Sequence, residues 1–214
     1  MLILRVPIDY FRVKFISMKT VGIFLFDEVE VLDFAGPFEV FSVGSQFSDP
    51  KEFKVFTFSA EGASIKGVNG LSINPEFGIS NLPQIDYLVI PGGEGSNKVV
   101  AQEELLKKLQ GLIDYSEWTM TVCSGSRILA CLGLLDSRPF CTHNSVYSNI
   151  SEISPSAIPR PDKRYIQSDS KLYTSAGISA GIDLAFYLLE KTFGKKLALE
   201  TAQYMEYTNY PASK

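Results

Sequence analysis

Apolar positions along this chain follow two rhythms, short unbroken runs and longer blocks at helical spacing. Residues 20–26 (Thr-Val-Gly-Ile-Phe-Leu-Phe), 86–90 (Asp-Tyr-Leu-Val-Ile) and 118–122 (Trp-Thr-Met-Thr-Val) are the runs, the pattern of strands covered on both faces. Residues 53–60 alternate and read as a further strand, and 171–174 as a short one. Leu32, Phe34, Phe38, Val40 and Phe41 predict a helix over about 35–45, with Asp33 placed to cap it and Pro37 in its first turn. Residues 97–113 predict an amphipathic helix, and 126–135 carry apolar residues at helical spacing. A long apolar helix opens within 176–183, runs to Thr192 and is ended by Gly194, and a last one covers 195–207. Residues 61–76, rich in Gly, Asn, Ser and Pro, predict turns with a short hairpin, and 136–170 a polar connection. Strands alternating with helices predict an α/β fold, a mostly parallel sheet with helices on both faces. Ligands of such sheets bind at the carboxyl ends of the strands.

Composition narrows the class. The 214 residues suit one sizeable domain, expected over 18–208, followed by a C-terminal tail over 209–214. Met1 to Ser17 lacks the continuous apolar core and cleavage site of a secretory signal. It is expected to be a disordered or mis-started extension, with translation beginning at Met18. A net charge of −4, with the 20 Lys and Arg scattered, argues against a nucleic-acid partner. No apolar run approaches the roughly 20 residues that span a bilayer, so no membrane partner is expected. Three cysteines make no disulfide framework and no Cys/His pair has metal-ligand spacing. No metal is expected, and the reading is a reducing, cytoplasmic setting.

The chemistry concentrates where the run 118–122 ends on Cys123 and turns, through Ser124, Gly125 and Ser126, into a helical pattern. A thiol on such a turn, with backbone N–H groups of the new helix aimed at it, is expected to lose its proton more easily than a free one. The competing reading is a buried structural cysteine. Asp33 follows the first strand, and Pro91-Gly92-Gly93-Glu94-Gly95 follows a middle one. A nucleophilic thiol needs an acid or base to manage protons and amides to hold developing charge, and these pieces supply both. His143, the only histidine, is read as a structural residue before a dyad partner. Cys131 and Cys141 are read as core, Tyr204, Tyr207 and Tyr210 as packing residues, and Arg127 and Glu94 as residues of the pocket mouth.

The ordered set Val31-Leu32-Asp33-Phe34-Ala35-Gly36-Pro37, Ile90-Pro91-Gly92-Gly93, Val122-Cys123-Ser124-Gly125-Ser126, Thr142-His143 and Ala176-Gly177-Ile178-Ser179-Ala180-Gly181-Ile182-Asp183 resembles the ThiJ/PfpI superfamily, most nearly its isonitrile hydratase branch. The resemblance runs from about residue 20 to 208. It implies a flavodoxin-like three-layer sandwich with a nucleophile elbow, usually a homodimer, acting on a small molecule without a cofactor. Matched residue by residue, it makes Cys123 the nucleophile and Asp33 its carboxylate, where other branches carry Glu. Gly92, Gly93 and Ser124 become amide donors, and Ile178, His143 and Glu94 neighbours of the pocket. The protease-like branch has His where Ser124 stands, and the His-x-Glu of class I glutamine amidotransferases is absent after His143. Asn144 stands where the isonitrile hydratase branch commonly has an aromatic. The expected activity is therefore hydration of isonitriles to N-substituted formamides. The alternatives are a glyoxalase or other carbonyl-directed enzyme, and a ligand- or redox-sensing domain like the N-terminal half of AraC-type regulators.

Overall fold

The computed structural model describes residues 18–49 and 51–210, so the proposed extension over 1–17 and the end of the tail lie outside the described residues. In chain order, β1 (Lys19–Phe24) leads to α1 (Val31–Phe47), β2 (Phe53–Ser59), the hairpin of β3 (Ile65–Lys66) and β4 (Ser72–Ile73), and β5 (Phe77–Gly78). Then come β6 (Tyr87–Ile90), α2 (Ser96–Val100), α3 (Glu103–Tyr115), β7 (Trp118–Val122), a 3₁₀ turn over Cys123–Gly125 and α4 (Ser126–Cys131). β8 (Pro139–Phe140), α5 (Tyr147–Ile153), β9 (Ile158–Pro159), β10 (Tyr165–Gln167), β11 (Leu172–Ser175), α6 (Ala180–Phe193) and α7 (Lys195–Tyr204) complete it.

The main sheet has the order β10-β11-β7-β6-β1-β2-β5. Every neighbouring pair is parallel except β10 with β11. β6, β7 and β11 are buried at every position, and β6 and β7 accordingly read as apolar runs. α1, α6 and α7 pack on one another, and contacts link α2 with α3 and α4, and α4 with α5. The result is the mostly parallel sheet wrapped by helices that the alternating pattern predicts. Among the described residues no helix is long and apolar enough to cross a membrane.

The departures have local causes. α1 starts at Val31, earlier than predicted, so Asp33 lies inside its first turn and does not cap it. The N-cap position is Glu30, which makes no side-chain cap bond. Pro37 sits in the helix interior, where its missing N–H denies the Asp33 carbonyl a helical partner. The helix predicted over 97–113 is two, broken at Gln102, whose backbone is extended and whose Nε2 donates to the Lys98 carbonyl. Glu103 and Glu104 then favour a fresh helix start. α4 ends at Cys131 because Gly133, at φ 69°, turns the chain left-handed, its N–H donating to the Ala130 carbonyl and that of Leu134 to the Leu129 carbonyl. That leaves Cys131 exposed, not in the core as expected, whereas Cys141 is buried. Tyr207 and Tyr210 stack on Phe186, and Tyr204, though exposed, sets its ring edge-on to Phe47. The stretch 136–170 holds three short strands and a helix that its polar composition concealed.

Gly194 joins α6 to α7 at φ 97° and ψ 155°, a region that essentially only glycine occupies. A Cβ there would meet nothing within 4 Å, so the cost of a side chain is purely conformational. Gly194→Ala is expected to lower stability by about 2 kcal/mol, read from the urea midpoint. An unchanged midpoint would mean the two helices do not need this bend.

Candidate active site

Turns after β1, β6, β7 and β11 meet at one edge of the sheet. From the β7 turn comes Cys123, at φ 56°, in the left-handed region that side chains disfavour. Several bonds hold it there. Its N–H donates to the Ala176 carbonyl at 3.3 Å, while the Ser126 and Thr142 hydroxyls lie 3.0 and 2.9 Å from its carbonyl oxygen. The thiol therefore leaves the turn in a direction set by three segments. Nothing in the local sequence announced that Ser126 and Thr142 serve this purpose. Ile178, at φ 51°, presents its N–H toward the Cys123 sulfur and the Asp33 carboxyl alike, and the Ser124 N–H also favours the thiolate.

Asp33 has no exposed surface. Its Oδ2 accepts the Gly92 N–H at 3.0 Å, and its Oδ1 has no aligned hydrogen-bond partner among the described residues. Desolvation outweighs the Gly92 bond and raises this carboxyl from 3.8 to about 7. Cys123 is pushed up to about 12, first by burial and then by the charge of Asp33, against the opposing pull of the Ser124 and Ile178 amides. The expectation of an easily ionised thiol is thus corrected: the turn supplies amides, but burial beside a carboxylate outweighs them. The two groups titrate as a pair that keeps a proton near neutral pH. Passing that proton from sulfur to carboxylate makes a thiolate without changing the charge of the pair.

The glycine loop also differs from expectation. Gly92 spends its N–H on Asp33, and the Gly93 N–H donates to Ser124 Oγ at 2.9 Å, so neither is free to hold an oxyanion. Gly93 adopts φ 126°, and a Cβ on it would lie 2.2 Å from the Glu28 carbonyl oxygen. This glycine lets the loop press against residues 28–30, where Glu30 N–H donates to the Gly92 carbonyl. The amides aimed at the thiol are that of Ser124, as expected, and that of Ile178 in place of the two glycines. For Ile178, a neighbour expected of the pocket, it is the backbone that matters.

A pocket of about 260 Å³ opens over Cys123, lined also by Gly93, Glu94, Arg127, His143 and Ile178. His143 reaches this pocket but no hydrogen bond joins it to the thiol. Its Nδ1 is 2.8 Å from Ser145 Oγ, an arrangement that caps the short turn at Asn144–Val146. Glu94 is exposed at the rim. Asp183, at the start of α6, is engaged with Arg164 and Tyr207 and does not line the pocket. Among the described residues no group of three or more His, Cys, Asp or Glu is arranged to hold a metal ion.

The sequence pattern of the DJ-1/PfpI family matches residues 19–191. The chain belongs to the DJ-1/PfpI family. Among curated DJ-1/PfpI relatives, the isonitrile hydratase of Pseudomonas putida is 28% identical over 191 residues, covering 89% of this chain and 79% of that protein. The HTH-type transcriptional regulator GbdR of Pseudomonas aeruginosa is 26% identical over 189 residues, 88% of this chain but only 51% of the regulator. Of solved structures, a ThiJ/PfpI family protein from Pseudomonas syringae superposes with a TM-score of 0.80 at 22% identity, over 100% of this chain and 85% of that one. DJ-1beta of Drosophila melanogaster gives 0.76 at 19% identity, over 89% and 99%. At such identities these structures speak to the fold alone.

Proposed function

We propose that this DJ-1/PfpI protein is a cysteine-dependent hydratase that converts an isonitrile, R–N≡C, and water into the formamide R–NH–CHO. The observation that carries the reading is the direct interaction of the Cys123 thiol with the Asp33 carboxyl, one oxygen of which has no hydrogen-bond partner among the described residues. Similarity to an isonitrile hydratase supports the substrate class.

In the first step Asp33 takes the Cys123 proton as sulfur forms a C–S bond to the terminal isonitrile carbon, and Asp33 returns that proton to the same carbon. This gives a thioimidate, R–N=CH–S–Cys123. Water then adds to the carbon, its hydroxyl forming a C–O bond and its other proton going to nitrogen. Collapse of the tetrahedral adduct breaks the C–S bond, releases the formamide and returns the hydroxyl proton to the thiolate by way of Asp33. Both steps are redox-neutral. The Ser124 and Ile178 amides stabilise the sulfur whenever it carries charge.

Incubation with an alkyl or aryl isonitrile, followed by mass spectrometry of the products, tests the reading. Formamide above the buffer background is expected; its absence overturns the hydratase, and turnover of methylglyoxal alone would favour a glyoxalase. Similarity to a regulator over half its length favours a second reading, ligand sensing without turnover. Binding of isonitrile with no product would decide for it.

A further inference from the structure

Arg127 is a cation that the fold buries without giving it a carboxylate. It sits in the first turn of α4, four residues after Cys123, and is only 8% exposed. Its Nε donates to Asn149 Oδ1 at 2.8 Å and its Nη1 to Ser96 Oγ, both neutral acceptors. A guanidinium has five N–H donors, and among the described residues the other three have no acceptor. Nor does it form an ion pair with any described Asp or Glu. Glu94 acts on it only from a distance, from the exposed rim, and Glu30 lines the same pocket half-buried and unpaired with it.

A buried charge without its counter-ion is costly, and this one lines the pocket that holds Cys123. The neutral bonds to Ser96 and Asn149 tie the guanidinium to α2 and α5, which fixes its plane and leaves its remaining edge for a ligand. A planar fork of N–H donors matches a carboxylate with two parallel bonds. The volume of about 260 Å³ lies below the range of drug-sized ligand pockets, so the occupant is small.

We infer that Arg127 is a specificity residue that binds a carboxylate on the substrate, making the preferred substrate the isonitrile of a small carboxylic acid. The carboxylate rests on Arg127 while the terminal carbon reaches Cys123. The inference rests on the hydratase reading for the reacting group, but not for the anion.

Two measurements separate the two. In the first, isocyanoacetate and its methyl ester are compared as substrates. The wild type is expected to prefer the acid in kcat/KM by about tenfold or more, Arg127→Met to lose that preference mainly through KM, and Arg127→Lys to keep part of it. In the second, N-formylglycine and N-formylglycinamide are titrated by calorimetry, with no turnover required. The acid is expected to bind the wild type more tightly by a similar factor, and Arg127→Met to bind both alike. If no isonitrile is hydrated but the acid is still preferred in the titration, the hydratase reading fails and the anion site stands. Equal handling of acid and neutral partner by the wild type overturns the inference, as does failure to bind either formyl compound without any preference in turnover. A preference that survives in Arg127→Met overturns it too. Should Arg127→Met not fold, a KM for isocyanoacetate unchanged in Arg127→Lys counts against it.

Discussion

Cys123→Ala is expected to reduce formamide formation by about 10³-fold or more, since removal of a covalent nucleophile leaves only the binding and positioning of the site. The same position makes an unusual stability prediction. Its φ of 56° costs any residue with a Cβ about 1 to 2 kcal/mol, a cost glycine escapes. Cys123→Gly should therefore be more stable than Cys123→Ala by about 1 kcal/mol, the reverse of the usual order within helices or strands. Urea denaturation of the two variants measures the difference, and a rate assay measures the loss. Alanine equal to wild type in rate would remove Cys123 from the chemistry. Alanine more stable than glycine would mean the turn relaxes once the thiol is gone.

Asp33→Asn should lower turnover by about 10² to 10⁴-fold, the usual worth of general acid–base help. Its pH signature is more telling. Burial raises the Asp33 carboxyl from 3.8 to about 7, so between those values the folded protein holds a proton that the unfolded chain has released. Stability contributed by this group is complete below pH 4 and is lost as pH rises through about 7. Asparagine titrates nothing, so Asp33→Asn should gain on the wild type as pH rises through that window, by at most about 4 kcal/mol above it. In the rate, the wild type should show kcat/KM rising through about pH 7 as the pair loses its first proton, and the variant should lack that limb. A stability difference independent of pH would show that Asp33 is ionised throughout.

How far these features could be read beforehand varied with their physical origin. Buried strands such as β6 and β7 are legible because both faces are covered and the apolar run is unbroken. β10 and the two-residue ladders β5, β8 and β9 are too short to impose a period. Asp33, Cys123 and Ile178 could be named because each stands in a motif at a strand-to-helix turn. Of the amides that serve them, that of Ser124 could be named too, but the part of Ile178 and the loss of Gly92 and Gly93 could not, since these depend on how the loop at 91–95 docks on residues 28–30. Proton affinity is hidden for the same reason: an amide near sulfur is visible in the order of residues, whereas the dry carboxylate beside it is a product of packing. Arg127 was legible only as a residue of the pocket mouth, its burial and lack of a counter-ion being tertiary facts.

The bonds that fasten the glycine loop to residues 28–30 have a thermodynamic corollary. Gly92, Gly93 and the Asp33 carboxylate are already tied down, so ordering them costs no conformational entropy when a ligand arrives. The same stiffness means the floor of the pocket cannot remodel itself around a new guest. Adaptation to differently shaped molecules, whether within one lifetime of the protein or over evolutionary drift, is left to the exposed rim at Glu94, Ser145 and the Ile178 side chain.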